Sequence, residues 1–271
     1  MKDRTKLSYR SVALSIVTAT LSQGSVTMGT VEIWFGLLMS AGICVVSWLC
    51  SLYGRYQAEG KGTNRLLCFA FVLCYCAETL QTARLAHTVC QQEFSSMALL
   101  GFLPILLWLG WSRDAYQWNI MANILWCFML FGGMIFLVGV ASQLRWERLV
   151  LQPTQYSMNH WKLPLYAEYF LPLLDKKTMD HGQPLFTLPL WSFTVQVGMA
   201  VVFALLFGSR DYPSLEILRV WSIGAFSRMD ALLLLIWLTC AFYRICVLCS
   251  LIRSALAVSC KGNSMRKGMQ K

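Results

Sequence analysis

The chain has 271 residues, of which 57% are hydrophobic and 13% charged, with a mean hydropathy of +0.54 and a formal net charge of +10. So few charges cannot cover a soluble domain, which leaves an all-α polytopic transmembrane bundle occupying 1–271 as a single integral membrane domain. The excess positive charge is not a nucleic-acid signal. It collects at Lys2, Arg4, Lys6 and Arg10, at Arg55, Lys61 and Arg65, at Lys176 and Lys177, and at Lys261, Arg266, Lys267 and Lys271, flanking apolar runs as the positive-inside rule expects.

A spanning helix needs about 20 mainly apolar residues. Taken in chain order, the candidates are 11–29, 31–53, 66–88, 96–112, 118–142, 186–208 and 229–257, seven full spans. The first follows a basic N-terminus but lacks a compact apolar core ending in small residues, so no cleavable signal peptide is expected. It is interrupted by Thr18, Thr20, Ser22, Gln23, Gly24, Ser25 and Thr27. Two readings fit: a continuous polar helix shielded by neighbours, or a broken helix whose freed backbone groups line a cavity.

The third span carries Glu78 within apolar sequence and Arg84 nearer its outer end. Six residues turn a helix by about 240°, so the two do not share a face and need not pair. Glu78 either hydrogen-bonds inside the bundle or lines a polar pathway. Between 143 and 185 the apolar candidate is 163–174, which contains Pro164, Pro172 and Glu168 and would reach only about 18 Å as an α-helix. Placing both basic termini in the cytoplasm requires a crossing here, so this segment reads as a half-helix or re-entrant piece. Trp34, Trp48, Trp108, Trp111, Trp118 and Trp191 lie near span ends and read as interfacial anchors.

The last span is the most informative. A segment beginning at Pro213 and carrying Glu216, Arg219 and Arg228 runs into a Leu-rich helix with Trp237 and Arg244. An ionisable side chain inside such a helix is expensive in hydrocarbon and therefore marks a functional site by default. Arg244 either snorkels along its stem to the cytoplasmic interface, the favoured reading, or serves a cavity. Arg228 and Asp230 sit at the start of this span as interface anchors.

No catalytic or metal constellation emerges, and no cofactor and no enzyme activity are expected. His87, His160 and His181 are scattered, and no zincin, nucleophile-elbow or P-loop motif occurs. Most of the eleven cysteines lie within apolar runs, where a free thiol packs as a small apolar group. Cys246 and Cys249 form a CxxC without a second ligand pair. Cys90 reads as placed in a loop and exposed.

The run Gly224 to Leu248, with Gly224, Phe226, Arg228, Asp230, Ala231, Ile236 and Trp237 in order, resembles the permease-like B subunits of spore-germination nutrient receptors. Pro213 and Arg219 look like that family's preceding outer loop, 110–153 like its fourth loop and fifth helix, and Trp34 also fits. The resemblance implies an amino-acid/polyamine/organocation-type, LeuT-like fold, here shortened, with its sixth helix reduced to 163–174. It implies a small nutrient such as an amino acid bound at broken helices. It also implies membrane lipid and other germinant-receptor subunits as partners, in the cell membrane or inner spore membrane. The ligand-facing positions would be Ser22, Gln23, Gly24 and Ser25, joined by Glu78, with Arg228, Asp230, Trp237 and Arg244 as structural or pathway residues. A small-solute transporter and a non-binding membrane scaffold are the alternatives.

Overall fold

The computed structural model describes residues 6–22, 30–57, 65–94, 98–141, 144–148, 165–173, 184–207 and 229–268. Seven α-helices lie among them: α1 Tyr9–Ser22, α2 Thr30–Gln57, α3 Arg65–Phe94, α4 Ala98–Ser112, α5 Ala115–Ala141, α6 Leu188–Phe207 and α7 Met229–Gly268. Short 3-10 segments occur at Trp146–Arg148, Ala167–Leu173 and Leu185–Thr187, and no strand is present among the described residues.

The helices form where apolar residues run without interruption, and burial then selects one face. Apart from Val89, the buried positions on α3 are Cys68, Phe71, Tyr75, Thr79, Ala83, Ala86 and Cys90. They recur every three or four residues, which places them on one stripe of the helix. The opposite face is also apolar, with Leu66, Phe69, Leu73 and Leu80 exposed. A water-facing helix would be polar there, so this outer face fits hydrocarbon.

α7 is the hub. It packs against α3, α4, α1 and α5, while α2 packs against α6 and the Ala167–Leu173 segment, and α1 touches α5, α6 and α7. From Tyr243 to Leu251 every residue of α7 is buried. α4 approaches it closely at Gly110, where an added Cβ would lie 2.7 Å from the carbonyl oxygen of Cys246 and 2.7 Å from the Cβ of Cys249. Only a residue without Cβ allows that spacing. Cys246 also donates its thiol to the Leu106 carbonyl at 3.4 Å, so the CxxC cysteines serve the α4–α7 contact.

Among the described residues, five helices are long and apolar enough to cross a membrane: Ile33–Tyr53, Leu66–Gln91, Ala115–Ala141, Leu185–Leu206 and Leu232–Ala257. This is an all-α integral membrane bundle. α1, with 14 residues, reaches only about 21 Å, and α4, with 15, only about 22 Å. The continuation of the first span, with Gln23, Gly24 and Ser25, lies outside the described residues, as does Arg228.

Three expectations are corrected. The half-helix at 163–174 is a 3-10 segment, Ala167–Leu173, of about 14 Å. Pro172 has no N–H to donate to the Glu168 carbonyl, so an α-helical turn cannot close there. Cys90 is buried in α3, 7% exposed, because it falls on the helix's core stripe. Trp118 is buried, 5% exposed, and its ring packs edge-on against Tyr243 of α7 at 6.1 Å, whereas Trp34, Trp48, Trp108, Trp111 and Trp191 are exposed.

Candidate functional site

The Ala167–Leu173 segment sits beside α2 and α3 and is tied to both. Ser47 of α2 donates to the Tyr169 carbonyl at 2.7 Å, and the Tyr169 hydroxyl lies 2.7 Å from the hydroxyl of Ser192 on α6. The Ala167 N–H donates to Glu78 Oε1 of α3 at 2.9 Å. That bond satisfies a backbone donor at the start of a short helical turn, where no intrahelical partner exists. The segment thereby brings Glu168 into the centre of the bundle, with its side chain wholly buried.

Arg244 of α7 completes the arrangement. Its Nη1 donates to Glu168 Oε1 at 2.8 Å, to the Ser15 carbonyl at 2.7 Å and to Ser15 Oγ at 2.9 Å. Its Nη2 donates to Glu78 Oε2 at 2.5 Å. Ser15 Oγ in turn donates to Glu168 Oε1 at 3.1 Å. The Tyr166 ring lies under the guanidinium, 5.2 Å from its carbon to the ring centroid. One planar fork thus links α1, α3, α7 and the 3-10 segment. Arginine suits this role better than lysine, because its donors are fixed in a plane and it stacks on aromatic faces.

The expectation that Arg244 snorkels to the interface is overturned. The residue is 1% exposed and spends its donors on Glu78, Glu168 and Ser15. Pairing costs less than leaving two carboxylates and a guanidinium apart in hydrocarbon. Glu78 is hydrogen-bonded within the bundle and also faces a cavity.

That cavity, about 390 Å³, is lined by Ser22 and Ala19 of α1, by Glu78, Gln81, Thr82, Arg84, Leu85 and Thr88 of α3, by Leu165 and Tyr166, and by Arg244. Gln81, Arg84, Thr88 and Leu165 are exposed and form its rim. Arg84 and Glu78 are not paired, yet both reach the same space. Among the described residues the Arg84 guanidinium has no ion-pair partner. At the α1 end, Ser22 Oγ donates to the Thr18 carbonyl at 2.6 Å and accepts from the indole N–H of Trp237 at 3.2 Å.

The structure therefore brings Ser22, Glu78, Trp237 and Arg244 together. Asp230 is the second residue of α7, and its side chain lies outside what the structure describes. Two residues of the site, Glu168 and Ser15, went unassigned in the sequence. Glu168 was visible as a carboxylate in an apolar run, and a third intramembrane charge beside Glu78 and Arg244 is the signal that points to it. Ser15 carries no comparable signal. Among the described residues, no group of three His, Cys, Asp or Glu is placed to hold a metal ion. Comparison with known protein families, curated proteins and solved structures gives no match.

Proposed function

We propose that this membrane protein receives a small polar solute in the cavity between α1, α3 and α7, as a nutrient-sensing membrane subunit of the spore-germination receptor type. The observation that carries the reading is the cavity itself, an open space of about 390 Å³ with charged and hydrogen-bonding groups on its wall, at the side of an apolar bundle. Its volume is at the small end for ligand sites. A cation without an ion-pair partner among the described residues, Arg84, stands at its rim and an acidic group, Glu78, at its inner wall. This pairing suits a solute bearing both a carboxylate and an ammonium, such as an amino acid. The lining offers hydrogen bonds and charge, which supports a binding role. The germination context rests on the sequence resemblance alone, carried by Gly224–Leu248 with Pro213, Arg219, 110–153 and Trp34.

The test is equilibrium binding of an amino-acid panel to the purified full-length protein, with Arg84→Gln alongside. We expect at least one member to bind and the variant to weaken it by about ten- to a hundredfold, the worth of a hydrogen bond to a charged group. Failure of the whole panel, with the protein intact by thermal melting, would favour the scaffold reading. Ligand uptake into proteoliposomes, as opposed to binding alone, would identify the chain as a transporter.

A further inference from the structure

The central cluster is unbalanced. Two carboxylates, Glu78 and Glu168, face one guanidinium, Arg244, in a place from which water is largely excluded: Arg244 and Glu168 are 1% and 0% exposed, and the Glu78 side chain 15%. With both carboxylates ionised the centre carries an uncompensated negative charge, and an isolated buried ion costs several kcal/mol even after the surroundings relax. Among the described residues, the other groups around the pair do not supply the missing positive charge. Tyr75 on α3 and Tyr166 and Tyr169 on the 3-10 segment are phenols near the carboxylates, and α1 contributes the neutral Ser15. Arg84 lies six residues further along α3, about 9 Å in rise, with its side chain at the exposed rim.

Two geometric facts indicate what restores the balance. The Glu78 and Glu168 carboxyl groups are held on one guanidinium, Glu168 Oε1 accepting from Nη1 of Arg244 at 2.8 Å and Glu78 Oε2 from Nη2 at 2.5 Å. Two carboxylates have only acceptors, so they can bond to one another only through a proton. Second, Glu168 Oε2 is buried and has no hydrogen-bond partner, whereas Glu168 Oε1 and both oxygens of Glu78 are already accepting from Arg244, Ser15 or Ala167. A metal cation would require several uncommitted oxygens, and one is free. A proton requires one.

We propose that the cluster is a proton-binding site: Glu78 and Glu168 share one proton beside Arg244, and Glu78, which lines the cavity, is the route by which that proton exchanges with water. The inference rests on the charge cluster and not on the identity of any cavity ligand. Its consequence is mechanical. Glu78 accepts from the Ala167 N–H, so the proton balances the same carboxylate that fastens the 3-10 segment to α3. Loss of the proton leaves like charges in contact at that junction, and the segment's docking weakens as pH rises.

The experiment is infrared spectroscopy of the purified full-length protein at neutral pH, with its glutamates labelled on the side-chain carboxyl carbon. A protonated carboxylic acid gives a C=O stretch distinct from that of carboxylates and sensitive to H/D exchange. Ordinary glutamates, with pKa about 4.3, are ionised at neutral pH and contribute none. We expect one such acid in the wild type and none in either Glu78→Gln or Glu168→Gln, since a single remaining carboxylate pairs with Arg244 in its ionised form. A wild-type spectrum without the band, or a band that survives in the Glu78→Gln/Glu168→Gln double variant, overturns the proposal. If the variants do not fold, the wild type still decides. The band must then fade on raising the pH, together with a fall in melting temperature, and a band absent or indifferent to alkali counts against it.

Discussion

α5 and α7 are nearly the same helix by hydropathy, 2.4 and 2.3 in an 18-residue stretch of each, yet 22% of the α5 stretch is buried in the protein against 67% of the α7 stretch. In water, equal apolarity would drive both inward. In a bilayer it drives neither, because lipid tails are as apolar as a protein core, and helix association depends on packing and polar contacts instead. What distinguishes α7 is what interrupts its apolarity. It carries Arg244 at the centre, and at Cys246 and Cys249 it offers a surface narrow enough for Gly110 of α4 to approach. α5 keeps its polar contacts to one end, where Asn119 and Asn123 bind the start of α1, and presents Phe128, Phe131, Met134 and Val138 outward. Position in this bundle is set by the exceptions to hydrophobicity.

The largest expected effect comes from removing the exception in α7. Arg244→Met should leave Glu78 and Glu168 buried without their cation and cost about 3–5 kcal/mol, seen as lost assembly or a collapsed melting temperature in detergent. Val138→Leu on α5, a change to a side chain 73% exposed, serves as the control and should melt like the wild type. Adding Glu78→Gln and Glu168→Gln to Arg244→Met should restore much of the loss, because a cluster replaced as a whole leaves no unpaired charge. Equal damage from Arg244→Met and Val138→Leu would show that the two helices do not differ as the structure has them.

Gly110→Ala is next. The added methyl meets a backbone carbonyl and a Cβ, neither of which can rotate away, so α4 must move off α7. Overpacking of this kind costs about 1–3 kcal/mol. Gly133 on the outward side of α5 has open space around its Cβ position, and the same substitution there should be harmless by thermal melting.

These contrasts also show how far the sequence could be read. Helix positions followed from apolar length, and the membrane setting from scarcity of charge. Glu78 and Arg244 stood out singly because each is costly in hydrocarbon. Their pairing did not, since 166 residues separate them and no local spacing relates them; Arg84, close in sequence, was the partner that local geometry could test and reject. Glu168 was seen as an obstacle to a half-helix rather than as the reason the segment is buried. The 3-10 form of that segment was foreshadowed by Pro172, but its docking depends on Ser47, Ser192 and Glu78 from three other helices. Arg244 was read as snorkelling because a long stem permits it, and only the presence of two acceptors at depth decides against it.

The smallest effect sharpens the comparison at the α1–α7 contact. The indole of Trp237 donates to Ser22 Oγ, while Ser22 donates to the Thr18 carbonyl of its own helix. Ser22→Ala removes the acceptor and leaves the indole N–H to find water in the neighbouring cavity, so the loss should be about 0.5–1.5 kcal/mol rather than the full cost of a buried orphan. Trp237→Phe removes the donor together with part of a large buried ring and should cost more, through lost burial as well as the bond. If the hydrogen bond is real and modest, the two changes are not additive: Ser22→Ala should cost less in a Trp237→Phe background than in the wild type, by about the worth of that bond. Full additivity in melting measurements would mean that α1 is held to α7 by Arg244 and Ser15 alone, and that the polar end of α1 is free to serve the cavity.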